Sequence, residues 1–174
     1  MTFQKILAPT DFSAAAEAAA RVAADLSQRY NAELTLLHVH EPVAYALSEG
    51  YTMNMPSQLD RSFEELNQKL DTVQRLARAL GVTRIDTRLL QGPVVQEITA
   101  FAASFDLIVM GTHGRTGLAH LFMGSVAERV LQRAPCPVLV VRWPKTLPRA
   151  ATKQADGPRY GQLQASTRGT GHAR

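Results

Sequence analysis

Apolar positions along this chain come in two rhythms, and their alternation organises the rest. Leu34-Thr35-Leu36-Leu37-His38-Val39, Leu107-Ile108-Val109-Met110 (a strand counted from Asp106) and Val138-Leu139-Val140-Val141 are nearly unbroken apolar runs. Runs of this length read as strands covered on both faces. Phe3 to Ala8 reads as a short first strand ended by Pro9-Thr10-Asp11, and Arg84 to Leu90 alternates like a third. Between the strands the period lengthens. An alanine-rich helix is predicted over about Ala14 to Arg29, with Phe12, Ala16, Ala19, Ala23, Leu26 and Tyr30 along one face. Ser13 is placed to cap it, and Glu17 sits against its positive end. Leu59, Phe63, Leu66, Leu70, Val73, Leu76 and Leu80 recur by threes and fours until Gly81, the signature of an amphipathic helix. Gly92-Pro93 opens a helix to about Ser104, and Ser125 to Arg133 forms another. Glu41 to Ser57 keeps no period and reads as a long loop.

The resulting order is β-α-β-α-β-α-β-α-β. Apolar strands alternating with helices predict an α/β fold, a single doubly wound parallel sheet of five strands with helices on both faces. The pattern ends at Trp143, beyond which Pro, Gly, Thr, Gln and Arg dominate without a period. Residues 1–143 are therefore expected to form one domain and 144–174 a disordered tail.

Charge sharpens that division. Lys145, Arg149, Lys153, Arg159, Arg168 and Arg174 face one acid, Asp156, so the 19 basic and 15 acidic residues of the chain leave 13 against 14 in residues 1–142. The pI near 9.6 belongs to the tail. A nucleic-acid role for the whole domain loses its support, and only the tail keeps one open. The single cysteine, Cys136, excludes an internal disulfide and is expected to be a buried structural thiol. No stretch has the roughly 18 unbroken apolar residues of a membrane span, and no signal-peptide core opens the chain. The expectation is a cytoplasmic protein without a membrane partner.

Candidate chemistry concentrates between Gly111 and Ser125. The stretch Gly111-x2-Gly114-x9-Gly124-Ser125 links a strand end to a helix start, where backbone N–H groups can approach a phosphate. It is neither G-x-x-x-x-G-K-[ST] nor G-x-G-x-x-G, so the P-loop and dinucleotide readings fail. Gly111 would let a flat group or ribose approach the backbone. Gly114 can take positive φ, and Gly124 and Ser125 sit where a helix dipole favours an anion. Ser125 can equally cap the helix, and three glycines can equally be three turns. In a doubly wound sheet, ligands bind beyond the C-terminal strand ends where the order reverses. With an order 3-2-1-4-5, Pro9-Thr10-Asp11 and Met110-Gly111 would line one crevice. Asp11 would then accept from an exocyclic amine such as that of adenine, with capping as its rival role. Val39 would offer its backbone to a base edge, or be plain core.

Pro9-Thr10-Asp11-Phe12-Ser13, His38-Val39, the three-glycine spacing with Ser125, and Pro135-Cys136-Pro137-Val138-Leu139-Val140-Val141 together resemble the universal stress protein family over about residues 3–142. The glycine pattern resembles that of the family's ATP-binding branch. The resemblance implies the strand order 3-2-1-4-5 and a bound ATP, with or without Mg²⁺. It implies that Asp11 and Val39 contact adenine, that Gly111 lies beside the ribose, and that Gly114, Gly124, Ser125 and Val126 surround the phosphates. It also implies a homodimer paired through the edge strand Val138 to Val141.

Other side chains carry weaker signals. His113 and His120 lie in the glycine stretch without an evident partner for catalysis, and His113 enters the candidate set by position. Arg115 is placed to meet a triphosphate's outer charge, or to be solvated. His38 and His40 stand two apart on a strand, weak evidence for a metal. No nucleophile and base stand out as a pair, so the nucleotide is expected to be a regulatory or structural ligand, with at most slow hydrolysis. The rival expectations are an ATP-using enzyme on the same scaffold and a nucleic-acid-associated protein acting through the tail.

Overall fold

The computed structural model describes residues 2–41, 56–112 and 123–142, and side chains throughout these except at 56–61. The described residues fall within one compact unit, Met1–Trp143. Residues 144–174, expected to be a tail, lie outside the described residues. In chain order the elements are β1 (Lys5–Pro9), α1 (Ala14–Tyr30), β2 (Glu33–His40), α2 (Pro56–Ala79), β3 (Ile85–Gln91), α3 (Val94–Phe101), a 3₁₀ turn (Ala102–Ser104), β4 (Leu107–Gly111), α4 (Ser125–Arg133) and β5 (Val138–Val141). All four strand pairs are parallel, in the order β3-β2-β1-β4-β5. The expected doubly wound sheet and its order 3-2-1-4-5 are therefore present.

Strand alternation divides the core in two. Ile6, Ala8, Leu34, Leu36 and Val109 pack with the alanines of α1 and with Leu70 and Ala77 of α2. Leu7, Leu37, Val39, Ile108 and Met110 pack on the other face with Val95 and Ile98 of α3 and Ala127 and Val130 of α4. Ile6, Leu7, Leu34, Leu36, Leu37 and Ile108 are fully enclosed. Each such side chain is worth roughly 1.5–3 kcal/mol of burial.

Alanine lets α1 bury more than the one face expected of it. Ala15, Ala16, Ala18, Ala19, Ala20, Ala23, Ala24 and Ser27 are all buried, whereas Tyr30, assigned to the inner face, is exposed. Phe12, also assigned to that face, precedes the helix with φ 64. Ser13 is the cap, its Oγ accepting from Ala16 N at 3.2 Å. Helix α2 begins at Pro56, taking the last two residues of the expected loop, because proline is tolerated in a first helical turn. Its end is closed by Gly81 at φ 97. Helix α3 stops at Phe101 and tightens to the 3₁₀ turn over the residues expected to continue it.

At the N-terminal end of the sheet, Asp106 ties β4 to β1. Its carboxylate accepts from the backbone N–H groups of Gln4 at 2.7 Å and Lys5 at 2.9 Å. Those two donors, Gln4 first, hold the carboxyl below the ordinary carboxylate range. Cys136 is half-buried rather than buried, lying just before the edge strand β5 and packed against the margin of the Leu7–Ile108 cluster. Partial burial, with the Asp106 charge adding to it, pushes the thiol up. No helix among the described residues is long and apolar enough to cross a membrane.

Candidate functional site

At the opposite end of the sheet, β1 and β4 lie side by side and send their chains to opposite faces. The gap opened there holds a cavity of about 350 Å³ among the described residues, within the range of roughly 300–1,000 Å³ typical of small-molecule sites. Pro9, Thr10 and Asp11 form one wall. Leu37, His38 and Val39 at the end of β2, with Val94 and Ile98 of α3, form the second. Met110, Gly111 and Thr112 form the floor, and Gly124, Ser125, Val126 and Ala127 at the start of α4 the third wall. Expected candidates Pro9, Thr10, Asp11, Val39, Met110, Gly111, Gly124, Ser125 and Val126 thus share one cavity. His113, Gly114, Arg115 and His120 lie outside the described residues.

The Asp11 wall is a closely bonded turn. Thr10 N–H donates to Leu37 O at 2.8 Å, continuing the β1–β2 ladder. Thr10 Oγ1 accepts from Phe12 N–H at 3.0 Å, and Asp11 Oδ1 accepts from Ser13 N–H at 3.1 Å. The capping role weighed for Asp11 therefore belongs to Ser13, while Asp11 folds over the turn that leads to it.

Gly111 has a packing reason to be glycine beside the ligand approach read in the sequence. Its φ is unexceptional, but a Cβ there would lie 2.8 Å from the Ala15 carbonyl carbon and oxygen. Helix α1 crosses the end of β4 too closely for any side chain. Gly124 N–H donates to Thr112 O, joining the described ends of the glycine-rich stretch, and Thr112 N–H donates to Val141 O at 3.0 Å. Gly124 is the N-cap residue of α4 with extended backbone (φ −59, ψ 144), and no side chain caps the helix. Ser125 is thus the first helical residue rather than the cap. The first intrahelical bond is Glu128 N–H to Gly124 O. The N–H groups of Ser125, Val126 and Ala127 have no intrahelical acceptor, the arrangement that attracts an anion. Ser125 and Val126 are exposed and Ala127 is buried.

Leu37, Val94, Ile98, Thr112 and Ala127 line the cavity without having been anticipated. Thr112 lay inside the glycine stretch and was open to inference; Val94 and Ile98 reach the cavity only once α3 is packed beside β2. His38 and His40 do not pair around a metal. His38 Nδ1 bonds to Thr10 O at 2.7 Å, and the His40 ring meets Phe63 edge-on at 5.5 Å. Among the described residues no group of three His, Cys, Asp or Glu side chains is arranged to hold an ion.

Comparison with known proteins adds an independent line. The model of the universal stress protein family matches residues 2–142. A universal stress protein of Methanocaldococcus jannaschii is 40% identical over 147 residues, covering 82% of this chain and 84% of its own length. Among solved structures, a universal stress protein from Lactobacillus plantarum superposes with a TM-score of 0.72 at 28% identity, covering 82% of this chain and 99% of the other. A universal stress protein in complex with cAMP (TM-score 0.63, 23% identity, 82% and 98% covered) and that of Archaeoglobus fulgidus in complex with dAMP (TM-score 0.58, 23% identity, 80% and 98% covered) share the fold.

Proposed function

The chain belongs to the universal stress protein family, and on that premise we propose that it binds ATP in the cavity between β1 and β4, as a regulatory or structural ligand. The observation that carries this reading is the sharing of one cavity by Asp11, Val39 and the uncapped start of α4. Its walls differ in chemistry along their length. A carboxylate and a strand end suit the amine and edge of a base, and unpaired N–H groups suit phosphate oxygens. The apolar side chains of Val94, Met110 and Ile98 between them suit a flat ring. The reading assigns the base to Asp11 and Val39, the ribose to Gly111, and the phosphates to Gly124, Ser125 and Val126, with His113, Gly114 and Arg115 completing the phosphate side. Pro9, Thr10 and Met110 shape the pocket. That two proteins of this fold hold adenine nucleotides supports the class of ligand. Mg²⁺ would be carried mainly by the phosphates, as is usual for that ion.

The same reading includes a homodimer through β5. The sheet has two edges, and they differ. Leu34 N–H donates to Arg84 O, so the N–H of Thr87 on β3 points away from β2. Asp86 Oδ1 accepts it at 2.8 Å, and Asp86 also pairs with Arg88. On that edge an outward N–H is thus already taken by a side chain, and charged residues flank it. The β5 edge instead offers a short apolar strand with Leu139 exposed. The deciding experiment is mass spectrometry of the ligand released on denaturing protein purified without added nucleotide. An adenine nucleotide is expected. A different ligand, or an empty protein that ATP fails to titrate, contradicts the reading.

A further inference from the structure

The turn that carries Asp11 is touched by a residue whose side chain lies across the sheet from Val39. His38 is 3% exposed on β2. Strand alternation places it with Leu34 and Leu36 on the α1–α2 face, whereas Leu37 and Val39 turn the other way. Its Nδ1 lies 2.7 Å from the Thr10 carbonyl oxygen. A carbonyl only accepts, so Nδ1 carries the proton. The ring also packs on Phe12, centroids 4.5 Å apart, with the Lys69 ammonium 5.8 Å from the Phe12 ring centre. Phe12 holds φ 64, a conformation that a bulky residue keeps only where its surroundings impose it.

The carbonyl of Thr10 and the N–H of Asp11 belong to one planar peptide unit. Fixing the carbonyl therefore fixes the direction in which the chain leaves for Asp11. We propose that His38 is a positioning residue for base selectivity: its hydrogen bond to Thr10 O and its contact with Phe12 hold the Thr10–Ser13 turn so that the Asp11 carboxylate meets an adenine amine. The inference rests on the assignment of the base to Asp11 made above. The phosphate side of the cavity hangs from β4 and α4 instead. Loss of the His38 bond therefore lowers the preference for ATP over GTP more than it lowers triphosphate affinity as such.

Two isosteric amides separate this role from a merely structural one. His38→Asn puts an N–H donor at the same bond count as Nδ1, and His38→Gln puts it one bond too far. With ATP and GTP titrated calorimetrically into each protein, the Asn variant is expected to keep the wild-type ATP:GTP affinity ratio within about twofold. The Gln variant is expected to lose roughly tenfold of it, the effect of one buried hydrogen bond. Circular dichroism checks that both fold. Nitrogen-15 spectra of the wild-type ring give a readout free of any variant: the neutral tautomer protonated at Nδ1 is expected, and one protonated at Nε2 overturns the inference. Equal ratios in all three proteins, or a parallel fall for both nucleotides, overturn it too while leaving ATP binding intact. Wild-type protein that binds neither nucleotide removes the proposed function and this inference with it.

Discussion

Replacing Gly111 with alanine adds one methyl group at the end of β4, and the packing there determines its effect. The new Cβ would stand 2.8 Å from the Ala15 carbonyl carbon and oxygen and 3.0 Å from Ala15 Cβ. Two of these three neighbours are backbone atoms of a helix whose inner surface is buried alanine, so they have little room to give. Gly111 has no positive φ, so backbone strain adds nothing and the cost comes from space. Overpacking of this kind costs typically 1–3 kcal/mol, which for a domain of this size is roughly 3–10 °C of melting temperature. The assay is urea unfolding of ligand-free protein, with Ala15→Gly and the double variant completing a thermodynamic cycle. Because the obstacle is the Ala15 carbonyl, trimming its side chain should not rescue Gly111→Ala, and the coupling should stay below about 0.5 kcal/mol. Wild-type stability for Gly111→Ala, or its recovery in the double variant, would refute the packing argument.

Three further outcomes follow from the same geometry. Gly124 has a backbone that valine accepts, so Gly124→Val should fold normally while crowding the start of α4 and weakening ATP binding at least tenfold; unchanged affinity on titration would contradict the phosphate assignment. Asp11→Ala should erode the preference for ATP over GTP more than affinity for triphosphate, and an unaltered competition between the two nucleotides would remove Asp11 from base recognition. The Asp106 carboxyl is held low by the Gln4 and Lys5 N–H groups, so its contribution is present above the unfolded value near pH 3.9 and is lost as pH falls through the lower folded value. Melting curves should therefore show Asp106→Asn less stable than wild type at neutral pH, with the gap narrowing in acid; a gap constant down to pH 2 would contradict the sign.

The parts of this fold that were legible in the sequence are those fixed by local pattern. Strands β2 and β4 lie under helices on both faces, so their apolar runs announce them, and Ser13 caps α1 through a bond three residues long. The strand order followed from the family resemblance, since periodicity does not say which strands are neighbours. What stayed hidden depends on contacts far apart in the chain. Gly111 is glycine because Ala15 lies against it, 96 positions earlier, and no local rule distinguishes that from a ligand's approach. His38 looked like half of a weak metal pair until folding brought Thr10 beneath it. The inner face of α1 was drawn too narrow because small alanine side chains let the helix bury positions against α2 as well as against the sheet.

The claim at the centre is that one cavity takes ATP with its base at Asp11 and its phosphates at the start of α4. Backbone amide chemical shifts recorded during titration with adenosine and then with ATP test both halves together. Adenosine should move the Thr10, Asp11 and Val39 amides, and ATP should move those and, more strongly, the amides of Gly124, Ser125 and Val126. Shifts confined to other parts of the protein, or phosphates that leave Gly124 to Val126 unmoved, would contradict it.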